Sequence, residues 1–184
     1  IKQVPLEPFM EWPKPFDSAH AEREIQRLDA PAQTLVWTAP SGTPFQLTVP
    51  PTVYPPKDDT DLLASVLDSR RLKPGTRWLE IGCGSGALSL HAATFGCNIT
   101  ACDVNPMAVA ASRAHFADTG QDARIYEGGP GPLGDGSLSQ WGGDRLYDVV
   151  VWNTPYLPLT ALEDGVLGPM EEAGLVDTDA HGLV

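Results

Sequence analysis

Residues 77–103 read RWLEIGCGSGALSLHAATFGCNITACD, and this stretch decides the fold. A strand pattern over 77–81 leads into a glycine loop. A helical pattern from Ala87 then stops at Gly96, before a second strand pattern that ends at Asp103. Glycines are required where a strand turns sharply into a helix, because the backbone takes up unusual dihedral angles and a ligand must approach it closely. The stretch therefore predicts a βαβ unit with a ligand site at the carboxyl end of its first strand.

The same alternation of strands and helices continues on both sides of this unit. It comprises a helical stripe over 62–67, a helix that Asn105 caps, a strand over 123–126, and a strand over 147–152 that is apolar enough to be central and covered on both faces. A Gly/Pro-rich loop over 128–143 separates these two strands. The alternation predicts an α/β fold with a doubly wound, mostly parallel sheet. No later strands complete the sheet, so its C-terminal strands are expected to be missing.

The N-terminal part of the chain has a different pattern. Residues 1–16 are proline-rich and predict an extended arm, and a short helix after it is expected to stop before Pro31. Strand patterns over 34–37 and 45–49 flank a turn containing proline and glycine, which is typical of a β-hairpin. We therefore divide the chain into an arm, helix and hairpin over 1–52 and a ligand-binding domain over 53–184, which we expect to be incomplete at its C-terminus.

The charge of the chain restricts its partners. The formal net charge is −12 and the pI is about 4.5, so the surface repels phosphate backbones and nucleic acid is not expected as a partner of this chain alone. A protein or small-molecule substrate fits better. No apolar run reaches transmembrane length and no secretory signal pattern is present, so we expect a cytoplasmic protein without membrane association.

The metal-binding residue types show no pattern of ligands. Three cysteines lack the paired spacing of a zinc site or a disulfide framework, and we interpret them as small buried thiols. Four histidines are interpreted as surface or helix residues, so no metal is expected. These residues are Cys83, Cys97, Cys102, His20, His91, His115 and His181.

The glycine loop by itself leaves two cofactors open. Gly82, Gly84 and Ala87 also satisfy the dinucleotide-binding pattern, which would suit a nicotinamide cofactor. Two features favour a different ligand: Glu80 places a carboxylate before the loop, which suits a cationic amino acid, and Gly86 tightens the loop to Gly-x-Gly-x-Gly.

Glu80 to Gly86 resemble the first motif of the class I methyltransferases, and Asp103 resembles their second acidic position. The resemblance implies S-adenosylmethionine as cofactor, with the loop against its methionine part and the acid on the ribose hydroxyls. Glu127 stands near the position where the family often has an acidic residue close to the adenine. The expected cofactor-binding residues are Thr60, Glu80, Gly82, Cys83, Gly84, Gly86, Asp103, Val104, Glu127 and Asn153.

The segment Asn153-Thr154-Pro155-Tyr156 follows the strand over 147–152 directly, and we expect it to carry the chemistry. A planar NH₂ group is a weak nucleophile, so it must be held in line with its N–H bonds directed at acceptors. The Asn153 side chain and the Thr154 carbonyl supply two acceptors, the Tyr156 ring can hold the planar group, and Pro155 stiffens the turn. The segment resembles the Asn-Pro-Pro-Tyr signature of amino-methyltransferases, with Thr154 in place of the first proline.

Within that group the chain looks most like the HemK-type glutamine N5-methyltransferases, which modify the glutamine of a Gly-Gly-Gln motif in peptide-chain release factors. Asp59-Thr60 is similar to the family's Asp-Thr pair, and residues 171–174 and 181–182 are similar to its downstream stretch. The short N-terminal part is similar to a branch of which some members need a small zinc-binding activator protein. The resemblance therefore implies a release factor as substrate and such an activator as a possible partner.

Two other functions remain open on the sequence. A methyltransferase acting on an exocyclic amine of rRNA or DNA would use the same nitrogen-holding segment, although the acidic surface disfavours it. A non-catalytic methyltransferase fold that serves as a binding subunit would account for Thr154 and for the missing strands.

Overall fold

The computed structural model describes residues 23, 25–128, 146–155, 157–158 and 176–177. The predicted arm, most of the predicted loop over 128–143, Tyr156, residues 171–174 and the histidines His20 and His181 lie outside these ranges. The strands are β1 (Gln33–Thr38), β2 (Pro44–Val49), β3 (Arg77–Ile81), β4 (Asn98–Asp103), β5 (Ala123–Glu127), β6 (Val149–Trp152), β7 (Leu157–Pro158) and β8 (Val176–Asp177), and the helices are α1 (Asp58–Ser69), α2 (Ala87–Thr94) and α3 (Pro106–Thr119).

The main sheet is parallel and has the order β5-β4-β3-β6. Glu80 in β3 pairs with Ala101 in β4 and with Val151 in β6, so the carboxyl ends of these strands meet at one edge. This edge, the carboxyl edge below, is where open α/β sheets bind ligands. The predicted parallel α/β sheet is confirmed, and its strand bounds differ from the predicted ones by a residue or two.

The position of β6 differs from the prediction of a central strand covered on both faces. Within the described part of the chain it pairs with β3 alone. Val150 is 56% exposed and Trp152 is 43% exposed, because no described element covers that face of the strand. The short strands β7 and β8 pair in parallel with each other, where the sequence predicted no later strand.

The helices begin and end where local chemistry dictates. The Asn105 side chain accepts a hydrogen bond from the Met107 amide at 2.9 Å, Pro106 occupies the first helical position of α3, and Gly120 ends the helix with a φ of +66°. In α1 the Thr60 hydroxyl accepts a hydrogen bond from the Lys57 amide at 3.3 Å, which orders the first turn. The predicted cap of α3 is confirmed.

The hairpin of β1 and β2 has the predicted antiparallel pairing and shares the core of the main sheet. Trp37, Phe45 and Leu47 are buried in the same cluster as Trp78 and Leu90. The hairpin also contacts α3, where the His115 side chain links Thr48 of β2 to Ser85 of the glycine loop.

Two of the four histidines are helix residues, as expected, and their side chains are buried. His91 in α2 is fully buried and its Nε2 lies 2.7 Å from Asp68. His115 in α3 accepts a hydrogen bond from the Thr48 amide at Nε2 (2.8 Å), so Nδ1 carries the proton and donates to the Ser85 carbonyl at 2.9 Å. These side chains are helical as expected, but they connect elements inside the molecule.

The cysteines are buried and free, as predicted. Among the residues that the structure describes, no helix combines the length and apolar character needed to cross a lipid bilayer.

Candidate cofactor and substrate site

A cavity of about 270 Å³ lies at the carboxyl edge of the sheet, close to the small end of the range of ligand pockets. Its wall is formed by the glycine loop, the residues that follow β4 and β6, and the segment before α1. Most of the predicted site residues meet there: Thr60, Glu80, Gly82, Cys83, Gly84, Asp103, Val104, Asn153, Thr154 and Pro155 all line it.

The glycine loop has the backbone that the sequence predicts. Gly82, Gly84 and Gly86 have φ values of +65°, +52° and +79°, a region that favours glycine. Gly86 caps α2 and does not line the cavity. A Cβ atom at this position would come within 2.7 Å of the Ser112 hydroxyl, so Gly86 permits the close packing of the loop on α3.

Asp103 joins the loop to the start of α3. One carboxylate oxygen accepts a hydrogen bond from the Gly84 amide at 2.8 Å, and the other accepts one from the Asn105 amide at 2.9 Å. Burial raises the pKa of Asp103, whereas these amides and that of Val104 lower it. Each oxygen retains a further lone pair, so the carboxylate can still accept hydrogen bonds from hydroxyl groups of a ligand.

Glu80 is almost completely buried beneath the loop. The Ser89 hydroxyl donates a hydrogen bond to its carboxylate and accepts one from the Trp78 indole at 3.0 Å. Burial raises the pKa of Glu80 to about 8, and the negative charge of Asp103 adds to this effect. A positively charged ligand would favour the ionised form of Glu80 and lower its pKa again.

Asn153 follows β6 and is fixed by a residue from another part of the chain. Its Nδ2 donates a hydrogen bond to Oδ2 of Asp59, 94 residues away, at 2.8 Å. Oδ1 of Asp59 accepts a hydrogen bond from the Thr60 amide at 2.8 Å. Among the described residues Oδ1 of Asn153 accepts no hydrogen bond, so its acceptor end is left for a ligand.

One expected site residue lies outside the cavity wall, and another lies outside the described residues. Glu127 ends β5 with its side chain exposed and is not part of the cavity wall, although its neighbour Gly128 is. Tyr156 lies outside the described residues. Two contacts had no signal in the sequence, that of Ser89 with Glu80 and that of Asp59 with Asn153. Asp59 was expected only as part of the Asp-Thr pair.

The acidic groups of the cavity suit S-adenosylmethionine. Glu80 and Asp103 place two acidic groups at one wall, and no lysine or arginine of the described chain forms an ion pair with either. A ligand with positive charge and ribose hydroxyls would complement this wall. The positive-φ glycines carry no side chain, so an amino-acid moiety can approach the loop closely where it leads into the N-terminus of α2.

Comparison with known proteins gives the family. The methyltransferase small domain family matches residues 56–168. A ribosomal protein L11 methyltransferase from Thiobacillus denitrificans is 36% identical over 104 residues, covering 56% of this chain and 31% of that protein. A release factor glutamine methyltransferase from Deinococcus radiodurans is 34% identical over 106 residues, covering 56% of this chain and 35% of that protein. The chain thus spans about a third of the length of these curated relatives.

A solved structure supports the fold. The 16S rRNA N2 G1207 methyltransferase of T. thermophilus, in complex with AdoMet and guanosine, has a TM-score of 0.58 and 17% identity, covering 79% of this chain and 38% of that one. Because the family match includes well over half of the residues, the chain belongs to the methyltransferase small domain family, and the predicted class I methyltransferase fold and S-adenosylmethionine cofactor are confirmed.

Proposed function

We propose that this chain methylates a planar amide or amino nitrogen, and that its substrate is the glutamine of a Gly-Gly-Gln motif in a peptide-chain release factor. The observation that carries the proposal is the position of Asn153, which lines the cofactor cavity at the carboxyl end of β6 with its Nδ2 bonded to Asp59. This arrangement leaves the acceptor end of the amide for an N–H group. The similarity to a release factor glutamine methyltransferase supports the choice of substrate.

The residues of the chain have to hold and orient the nucleophile. S-adenosylmethionine, when bound, supplies the methyl group together with its leaving group. Oδ1 of Asn153 and the Thr154 carbonyl oxygen accept hydrogen bonds from the two N–H groups of the target. This directs the lone pair of the target nitrogen at the methyl carbon. As the N–C bond forms, the nitrogen acquires positive charge, and its surplus proton leaves to water. Threonine at 154 retains the backbone carbonyl that a proline would offer.

A second protein substrate has its own support. The similarity to an L11 methyltransferase makes ribosomal protein L11 a candidate for the same site. Both candidates agree with a net charge of −12, which disfavours an RNA strand as the substrate of this chain alone.

The test is methyl transfer from labelled S-adenosylmethionine to a release factor, to ribosomal protein L11 and to rRNA, with the modified residue identified by mass spectrometry. Each reaction is run with and without a small zinc-binding activator protein of the kind that the family resemblance implies. We expect a methyl mark on the Gly-Gly-Gln glutamine. A mark on L11 or rRNA in its place would overturn the proposed substrate.

The variant Asn153→Ala tests the role of the nitrogen-holding segment. We expect transfer to fall by about 100-fold or more and cofactor affinity to fall far less, because the main task of the side chain is to orient the target. The matched control is Asn98→Ala at the other edge of the sheet, where Nδ2 donates to the Gly75 carbonyl at 3.3 Å. The variant Asp103→Asn should also show less methyl transfer, but because it binds the cofactor more weakly. Undiminished transfer by Asn153→Ala would contradict the mechanism.

A further inference from the structure

We propose that Asp59 is a positioning residue for methyl transfer, and that it fixes the Asn153 amide with its oxygen toward the target nitrogen. This inference rests on the proposed function, since it assigns Asn153 the role of nitrogen acceptor. It adds a residue from the start of α1 to a site that the sequence places after β6.

The chemistry of the two side chains determines the orientation. A carboxylate only accepts hydrogen bonds, so it selects the NH₂ end of an amide and repels the oxygen end. Nδ2 of Asn153 therefore lies toward Oδ2 of Asp59, at 2.8 Å, and Oδ1 must point away from it. Without such a partner, an asparagine amide can rotate by half a turn and exchange its donor and acceptor ends.

A second hydrogen bond prevents the Asp59 carboxylate from rotating. Its Oδ1 accepts from the Thr60 amide at 2.8 Å, in the first turn of α1. The carboxylate is thus held at one oxygen by the helix, and its other oxygen is aimed at Asn153. The bond between an ionised acceptor and the amide also polarises the amide, which makes Oδ1 of Asn153 a stronger acceptor.

A purely structural role for Asp59 predicts different behaviour. Asp58 and Asp61 also lie in the first turn of α1, so all three acids interact favourably with the helix dipole. Asp61 has a structural partner, because it accepts a hydrogen bond from the Trp37 indole at 2.7 Å. Among these three, the described hydrogen bonds link only Asp59 to a residue after β6. Asp61→Asn is therefore the matched control.

The variant Asp59→Asn should reverse the orientation of Asn153. The oxygen of the new amide would keep the bond from the Thr60 amide, so its NH₂ group would face Asn153 and demand an acceptor. Asn153 would then turn its oxygen inward and present N–H groups to the target nitrogen. We expect kcat for methyl transfer to the substrate to fall on the order of 10- to 100-fold, with the affinity for S-adenosylmethionine unchanged. Asp61→Asn should keep kcat within about twofold of wild type.

The exchanged pair, Asp59→Asn with Asn153→Asp, provides the rescue. The amide introduced at position 59 would accept from the Thr60 amide and donate to one oxygen of the carboxylate introduced at position 153. The other oxygen of that carboxylate would be an acceptor for the target nitrogen. The kcat of the double variant should be at least about tenfold higher than that of Asp59→Asn alone. No recovery would mean that the pairing does not carry the effect.

The amide orientation is also measured without any substrate, by NMR on protein saturated with S-adenosylhomocysteine. X-ray data at ordinary resolution do not distinguish amide nitrogen from oxygen, whereas nuclear Overhauser effects from the Asn153 side-chain NH₂ protons do. These effects should reach the β-protons of residue 59 in wild type and in Asp61→Asn, and disappear in Asp59→Asn. An unchanged pattern in Asp59→Asn overturns the inference.

The two proposals fail in different ways. Full activity of Asn153→Ala contradicts the nitrogen-holding function itself. Loss of activity in Asn153→Ala, combined with equal kcat for Asp59→Asn and Asp61→Asn, leaves that function standing and refutes the positioning role of Asp59.

Discussion

The two edges of the main sheet, the carboxyl edge and the amino edge where the strands begin, are stabilised in opposite ways. At the amino edge, Arg77 and Asp148 join the starts of β3 and β6 through an exposed ion pair with an Nη2–Oδ1 distance of 2.6 Å. Their side chains are 50% and 44% exposed. At the carboxyl edge, Glu80 and Asp103 are buried without a cationic partner among the described residues. The amino edge thus has its charges paired in water, and the carboxyl edge has acidic groups removed from water without a cationic partner among the described residues.

This difference distinguishes structural groups from functional ones. Burial raises the pKa of both acids at the carboxyl edge, so ionising them in the folded protein costs free energy. At the amino edge, the Arg77 guanidinium lowers the pKa of Asp148 to about 2, so ionisation there favours folding. An arrangement that costs stability in the free protein is expected where a ligand later supplies the missing charge.

The largest expected effect is on the pH dependence of stability, through Glu80. Its pKa is about 8 in the folded protein against an ordinary value of 4.5, so the folded state holds a proton that the unfolded state has released between these pH values. The contribution of this group is fully present below pH 4.5 and is lost as pH rises to about 8, a fall on the order of 5 kcal/mol. Urea unfolding between pH 5 and pH 8 measures it, and Glu80→Gln should remove most of the slope.

The same variant sharpens the comparison through cofactor binding. A cationic ligand favours ionised Glu80, so S-adenosylmethionine should release a proton on binding near pH 7, measured by calorimetry in buffers of different ionisation enthalpy. Glu80→Gln should bind without this release. Equal proton release in both proteins would assign the effect to another group, for which Asp103 is the nearest alternative.

An intermediate effect is expected from the two glycines at the ends of α2. Gly86 at the carboxyl edge and Gly96 at the amino edge have similar φ values of +79° and +78°. Alanine at either position should cost about 1–2 kcal/mol for the left-handed backbone. Gly86→Ala should cost a further ~1–3 kcal/mol, because its Cβ would lie 2.7 Å from the Ser112 hydroxyl. Thermal unfolding of both variants tests this order.

Cofactor affinity separates these two variants more sharply than stability does. Gly86→Ala should weaken S-adenosylmethionine binding, because the displaced loop no longer gives the cavity wall its shape, whereas Gly96→Ala should bind normally. A Cβ atom at Gly96 would contact Pro74 at 3.2 Å, far from the cavity. Equal losses of affinity would mean that the packing of α2 as a whole, and not the loop, determines binding.

The parts of the fold that depend on neighbouring residues were predictable from the sequence. The glycine loop, the Asn105 cap and the strand that ends at Asp103 each follow from residue types within a few positions of one another. The covering of β6 was not predictable, because an apolar strand shows that it is buried somewhere but not which elements cover it. The burial of His115 has the same cause: its partners Thr48 and Ser85 belong to other elements.

The candidate site was predictable to the same extent. Glu80, Asp103 and Asn153 lie at or just after the carboxyl ends of strands of one parallel sheet, so their meeting at one edge follows from topology. The contact between Asp59 and Asn153 depends on where the start of α1 lies relative to the end of β6, and the spacing of 94 residues carries no signal for it. The roles of these residues, and that of Tyr156, stay predictions for the experiments above.

The smallest effect is expected at the amino edge, where the ion pair is exposed. Asp148→Asn removes the pair and should lower the melting temperature only slightly, because solvent and salt already screen these charges. Since the Asp148 pKa falls from 3.8 to about 2 on folding, the stabilisation is present above pH 4 and is lost as pH falls toward 2, and the variant should lack this part of the acid dependence. Its affinity for S-adenosylmethionine should equal that of wild type, since the pair lies at the edge opposite the cavity. A cofactor defect in Asp148→Asn would show that the two edges are coupled through β3 and β6, and that the paired edge also contributes to binding.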